Sequence, residues 1–215
     1  MGRVHGDRER LKRVLEAHKP GRIELHDVRA AAVLIPIIGA AEPRLLFTVR
    51  THSLPSHKGQ ISFPGGAIDP SDASAAAAAV REAREEIGID PVTVELLGEL
   101  DPVPTFVSGY VIHSFVGWLE ERPSLNPNPA EVARVLEVPV GDLREEIRSD
   151  PGFSHGGRRF PTEAWIWEDN IIWGATARIL RLLLDRLSEA GMAEAPGEAP
   201  EWFFPPQPPE ATTGS

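Results

Sequence analysis

Residues 65–89 read GGAIDPSDASAAAAAVREAREEIGI: a glycine pair, a polar turn, an alanine run and a carboxylate-rich end. The spacing predicts a helix from about residue 73 to residue 87, with Ser71 or Asp72 as N-cap and Gly88 as the terminating glycine. The run Ala75 to Ala79 gives that helix high intrinsic propensity. On a wheel of about 100° per residue, Glu85 lies near −60° and Glu86 near +40° of Glu82, so three carboxylates share one arc. Ala76, Val80, Ala83 and Ile87 fall on a separate apolar arc suited to packing on a sheet.

Like charges at this spacing destabilise an isolated helix by roughly 0.2–0.5 kcal/mol per pair. A divalent cation reverses the sign. Mg²⁺ or Mn²⁺ takes hard oxygen ligands and is often shared between carboxylates and substrate phosphates. Gly65 and Gly66, following a short strand, allow the backbone to approach a ligand closely. The alternative for REAREE is a solvated helix face, with Arg81 and Arg84 in surface pairs of little energy.

The flanking segments alternate strand and helix patterns. A short amphipathic helix is expected over 7–18, ended by Pro20-Gly21, and strands over 28–38, 43–50 and 61–63. Further strands are expected over 92–100, 110–119, 132–138 and 164–168. Residues 140–149 read as a helix with Pro139 near its start, and 174–190 as a final amphipathic helix. The order predicts an α/β (α+β) fold with a mixed sheet between helical layers. An N-terminal helical extension covers 1–25 and the main domain 26–190. Residues 191–215 form a Pro-rich tail, expected to be disordered, in which Trp202, Phe203 and Phe204 either dock on the body or stay extended.

The chain has 215 residues, a net charge of −10 and no cysteine. Thiolate metal sites, disulfides and cysteine nucleophiles are thereby excluded. The acidic balance argues against a nucleic-acid binder held by its overall field. The charged N-terminus has no secretory-signal pattern, and the longest apolar run, Ala30 to Ala41, contains Pro36 and is too short to cross a bilayer. The expectation is a cytoplasmic protein with no nucleic-acid or membrane partner. No GxSxG, P-loop, HExxH or GxGxxG motif is present.

The segment Gly65 to Ile89 resembles the Nudix box, G-x5-E-x7-R-E-U-x-E-E-x-G-U with U aliphatic. Arg81, Glu82, Ala83, Glu85, Glu86, Gly88 and Ile89 fill its C-terminal half. The first acid of the pattern falls on Asp72 counting from Gly66 and on Ala73 counting back from Arg81. The loop is one residue longer than the pattern and its acid is Asp rather than Glu, so this spacing does not predict that Asp72 pairs with Arg81.

The resemblance implies a Nudix-type α/β/α sandwich. It implies Glu82, Glu85, Glu86 and a carbonyl of Gly66 as ligands of Mg²⁺ or Mn²⁺, with Arg81 holding the loop or a carboxylate in place. It implies hydrolysis of a nucleoside diphosphate linked to a second group, with Glu82 closest to general-base work and a later loop Glu as the rival.

Residues 45–66, LLFTVRTHSLPSHKGQISFPGG, also resemble the signature of the Nudix subfamily that hydrolyses coenzyme A, L-L-T-x-R-[SA]-x3-R-x3-G-x3-F-P-G-G. Leu46, Thr48, Arg50, Gly59, Phe63, Pro64, Gly65 and Gly66 match, while Phe47 replaces a leucine, Thr51 replaces Ser or Ala, and Pro55 stands where the second arginine belongs. Segments 128–143 and 171–180 are similar to later parts of that subfamily. The resemblance thus spans about residues 28–187 and implies cleavage of coenzyme A, with possible thioester substrates, to 3′,5′-ADP and 4′-phosphopantetheine. Arg50, Lys58 and Gly65 are the substrate-binding candidates, with His57 as a substitute cation and His52 an ordinary loop residue. Glu131 either approaches the metal or is solvated. Trp165, Trp167 and Trp173 read as packing rather than an adenine shelf. The alternatives are a Nudix hydrolase of ADP-ribose, NADH or dinucleoside polyphosphates, and a catalytically idle nucleotide-binding module.

Overall fold

The computed structural model describes residues 2–23, 28–51, 59–105, 109–155 and 158–198. The elements run α1 (Gly2–Ala17), β1 (Arg29–Ile38), β2 (Arg44–Arg50), β3 (Ile61–Ser62), β4 (Gly65–Ala67), α2 (Ala75–Ile87), β5 (Val94–Glu99) and β6 (Val103–Pro104). They continue with β7 (Tyr110–Leu119), β8 (Val132–Pro139), β9 (Arg144–His155), β10 (Arg158–Trp167), β11 (Asn170–Trp173) and α3 (Ala175–Glu189). The main sheet has the order β3-β2-β1-β7-β5, with β4 on β1, β6 on β7 and β8 on β2. Strands β11-β10-β9 form a second antiparallel sheet. The ten-residue parallel pairing of β1 with β7 makes the main sheet mixed.

Alternation along β1 builds the two layers. Ala32 and Leu34 pack with Ala78, Ala79 and Ala83 of α2 on one face. Val33, Ile35 and Ile37 face the larger core, filled by Leu11 and Leu15 of α1 and by Leu180, Leu183 and Leu187 of α3. The result is an α/β/α sandwich. Pro36 lies inside central strand β1, where a missing N–H normally breaks a ladder. Leu34 N–H donates to Pro64 O on the β4 side. Position 36 points the same way, into the gap between the last β4 pair at Val33 and the first β2 pair at Ile37. No ladder bond is forfeited there.

Four expectations change. Helix α1 begins near the chain start, at Gly2. The N-cap of α2 is Ser74, whose hydroxyl accepts from Ala77 N–H at 3.1 Å, and not Ser71 or Asp72. Residues 140–149 are not helical: a 3₁₀ turn at Val140–Asp142 leads into β9. Helix propensity in LREEI is overridden by cross-strand pairing with β10, and Glu145 is held by Arg181 of α3 and by Gly197 N–H. Strand β11, four residues across a two-residue turn from β10, was not expected. Residues 199–215, with Trp202, Phe203 and Phe204, lie outside the described residues. Among the described residues no helix is long and apolar enough to cross a membrane.

Helix α2 ends as its sequence implies. Gly88 has φ 75° and donates to Arg84 O. A Cβ there would also come within 3.0 Å of Asn126 N and Cβ. Both the left-handed backbone and the approaching loop select glycine. Gly88→Ala is expected to lower unfolding stability by roughly 1–2 kcal/mol; a urea midpoint equal to wild type contradicts this account.

Candidate functional site

The carboxylate end of α2 rests on Gly65 and Gly66 of β4, not on a glycine loop, because these strand residues carry no side chains. A Cβ on Gly65 would lie 2.4 Å from Ala32 O, and one on Gly66 would lie 2.6 Å from Glu82 Cδ and 2.7 Å from each Glu82 oxygen. The Glu82 carboxylate therefore occupies the place where a side chain of residue 66 belongs. Next to it, Gly65 N–H donates to Glu86 Oε2 at 3.3 Å.

The three glutamates do not share one environment. Glu85 is exposed, its side chain 58% accessible, and Glu82 is at 17%. Glu86 is only 7% exposed. The buried arc of α2 is Ala78, Ala79, Ala83, Glu86 and Ile87, with Ala76 and Val80 at its margin. Glu86 thus lies within the packing face rather than on a separate carboxylate face, which corrects the wheel reading. Burial pushes its carboxyl up to about 7; the Gly65 N–H opposes this and the charges of Glu82 and Glu131 add to it.

Arg81 is the cation of the exposed half. Its Nε and Nη2 donate to the two Asp72 oxygens at 2.9 and 3.0 Å, and its Nη1 to Glu82 Oε1 at 2.8 Å and Glu85 Oε2 at 3.1 Å. Nη2 also reaches Ala67 O. The pairing with Asp72, unexpected from spacing, is made; the extra loop residue is absorbed by a tight turn in which Asp69 N–H donates to Asp72 Oδ2. Arg81 holds the Asp72 carboxyl below its usual range, and the bond to Asp72 raises Arg81. One guanidinium ties the turn to the helix and shares its charge among three carboxylates, Asp72, Glu82 and Glu85.

Arg50 ends β2 half-buried, and its charge is felt at Glu86. Its N–H donates to Gln60 O at 3.0 Å and its carbonyl accepts from Gly59 N–H at 3.1 Å. Lys58, His57 and His52 lie outside the described residues. Glu131 belongs to the segment entering β8, and Thr51 N–H donates to its carbonyl at 2.9 Å. Trp165 is core: its indole N–H donates to Ala177 O and the Arg181 guanidinium lies 5.9 Å from its ring.

Sequence reasoning brought Glu82, Glu85, Glu86, Arg81, Gly65, Gly66 and Arg50 to one region. It missed the Asp72 clamp on Arg81 and the bonds by which the 126–128 segment docks on the end of α2, from Asn126 N–H to Ile87 O and from Asn128 N–H to Glu86 O. The Asn-Pro repeat at 126–129 was the available signal for a turn there.

Hard oxygen donors on both sides of Glu82, a glycine pair under them and a buried carboxylate with only a weak neutral donor suit a divalent cation. Among the described residues no three acidic or histidine side chains close round a point where an ion sits. Arg81 supplies positive charge to Glu82 and Glu85 instead.

Residues 28–160 match the family model described as NUDIX domain. A Photorhabdus laumondii protein named "Uncharacterized Nudix hydrolase NudL" is 41% identical over 160 residues, covering 74% of this chain and 85% of its own. An Escherichia coli protein of the same name is 41% identical over 163 residues, covering 72% and 81%. A solved MutT/nudix family protein from Enterococcus faecalis superposes with a TM-score of 0.53 at 14% identity, over 79% of this chain and 65% of that one, and supports the fold. With its box on α2, its α/β/α sandwich and these relatives, the chain belongs to the Nudix hydrolase family.

Proposed function

We propose that this Nudix hydrolase is a divalent-metal-dependent diphosphatase that cleaves coenzyme A, and its thioesters, to 3′,5′-ADP and 4′-phosphopantetheine. The observation that carries the reading is the packing of Glu82 and Glu86 onto the Gly65-Gly66 backbone, which sets carboxylates against two strand residues with no side chains. Glu82, Glu85 and Glu86, with the Gly66 carbonyl, hold Mg²⁺ or Mn²⁺. When bound, such ions neutralise a diphosphate and lower the pKa of water. Glu82 accepts a proton from the attacking water, whose oxygen joins one phosphorus as the bridging P–O bond breaks. Arg81 keeps the Asp72 turn and Glu82 in register. Arg50 and Lys58, with the Gly65 backbone, meet the phosphates. Coenzyme A is favoured as substrate by the 45–66 segment, which matches that subfamily's signature except at Phe47, Thr51 and Pro55.

Turnover of coenzyme A, dephospho-coenzyme A and ADP-ribose with Mn²⁺ tests the substrate, with products identified by mass. Coenzyme A is expected to have the highest kcat/KM. Preference for ADP-ribose overturns the substrate, and tight nucleotide binding without product overturns the activity. Glu82→Gln is expected to lose on the order of 10²–10⁴ in kcat with its fold intact by circular dichroism; wild-type turnover removes Glu82 from the reaction.

Glu86 yields a pH prediction for the metal-free protein. Its folded carboxyl titrates near 7, against about 4.5 unperturbed. The native state binds this proton more tightly, so the group's contribution to stability falls as pH rises from about 4.5 to about 7. Glu86→Gln keeps an acceptor for Gly65 N–H and removes the buried charge. At pH 8 with EDTA the variant is expected to be more stable by on the order of 1–3 kcal/mol, while binding Mn²⁺ more weakly. Equal melting temperatures at pH 8 contradict it.

A further inference from the structure

Asn128 makes more contacts at the site than its surface-loop position implies. Its N–H donates to Glu86 O at 2.8 Å, beside the bond from Asn126 N–H to Ile87 O at 2.9 Å. These two amides satisfy carbonyls that the last turn of α2 leaves without helical partners. The Asn128 carbonyl accepts from Glu131 N–H at 3.1 Å and Val132 N–H at 2.8 Å. Its side-chain Oδ1 accepts from Ala130 N–H at 3.1 Å, and its Nδ2 lies 3.4 Å from Glu131 Oε1 as donor. From the other side, Thr51 donates through N–H to Glu131 O and through Oγ1 to Ala130 O. One residue thus bonds both the backbone of Glu86 and the carboxylate of Glu131.

We propose that Asn128 is a positioning residue of the cation site: by bonding Glu86 O, Ala130 N–H and the Glu131 carboxylate at once, it fixes where Glu131 stands relative to Glu86. The inference rests on the cation-holding role given above to Glu86. The Glu131 carboxylate has one side-chain donor among the bonds described, and Asn128 supplies it. Without that donor the Glu131 carboxylate keeps no side-chain partner among the bonds described, while the charge of Glu86 repels it. The backbone bonds that dock the loop on α2 do not depend on the side chain, so positioning and folding separate.

Asn128→Ser tests this. A serine hydroxyl can still accept from Ala130 N–H but does not reach Glu131. Mn²⁺ affinity is measured by calorimetry for wild type, Asn128→Ser, Glu131→Gln and the double variant, and kcat and KM are measured on the substrate the wild type turns over. Partners that orient ligands of a metal typically matter about 10–100-fold in affinity or activity. Asn128→Ser is expected to lose at least about tenfold in Mn²⁺ affinity or kcat within that range, with KM and melting temperature near wild type. The double variant is expected to be no worse than Glu131→Gln alone. Wild-type affinity and kcat in Asn128→Ser, or losses that multiply in the double variant, overturn the positioning role while leaving the cation site standing. Wild-type protein that binds no Mn²⁺ overturns the cation site itself, and this inference with it.

Discussion

The absence of two β-carbons governs how α2 meets the sheet. At position 65 an added Cβ would collide with Ala32 O and the Val33 backbone, and at position 66 with the carboxylate of Glu82. Strand β4 can therefore lie on β1, and α2 can lie over both with its acidic end against the glycine pair. Small residues continue the theme on the helix side, where Ala78, Ala79 and Ala83 are wholly buried against Ala32 and Leu34. A bulkier helix face would lift Glu82 and Glu86 away from the backbone they now touch. The alanine run, which looks like helix propensity alone, is also a spacing device.

Much of this arrangement was legible in one dimension. The 3.6-residue period placed α2 and its three glutamates, Gly88 announced the helix end, and apolar runs located β1, β2, β7 and β8. What escaped were features decided by distant partners. Asp72 looked like an N-cap because capping is a local rule, yet Arg81 and Asp69 N–H claim its oxygens and leave Ser74 to cap. Residues 144–149 carry helix formers, yet β10 and Arg181 hold them extended. A wheel assigns residues to arcs but does not say where the sheet lies. It therefore could not reveal that Glu86 is buried while Glu85, one residue earlier, is exposed.

The burial of Glu86 sets a conflict between stability and chemistry. A carboxylate among Ile87, Ala83 and a strand edge is costly when ionised, and one neutral N–H at 3.3 Å compensates little. Arg81 cannot relieve it, because its donors are committed to Asp72, Glu82 and Glu85. A site that needed only structural integrity would place glutamine or leucine there. A desolvated carboxylate beside other acidic groups is a functional-site candidate, and it fits the reading proposed for the site.

The same reading has to explain how an acidic protein serves an anionic substrate. The chain carries a net charge of −10, and three of its glutamates stand together in the box, where the proposed function places a diphosphate. At physiological ionic strength the Debye length is about 8 Å, so the field of the distant surface is largely screened and the local balance decides. Locally, Arg81 is bonded to three carboxylates, and Arg50 is a cation whose charge favours the ionised form of Glu86. A single arginine does not offset Glu82, Glu86 and Glu131 as well as a diphosphate. Divalent ions held by these carboxylates, as proposed above, would offset both, since Mg²⁺ and Mn²⁺ take hard oxygen ligands from protein and phosphate alike. Such cations would then serve substrate binding as well as bond cleavage, and the acidic end of α2 would receive a metal–diphosphate complex rather than the free anion.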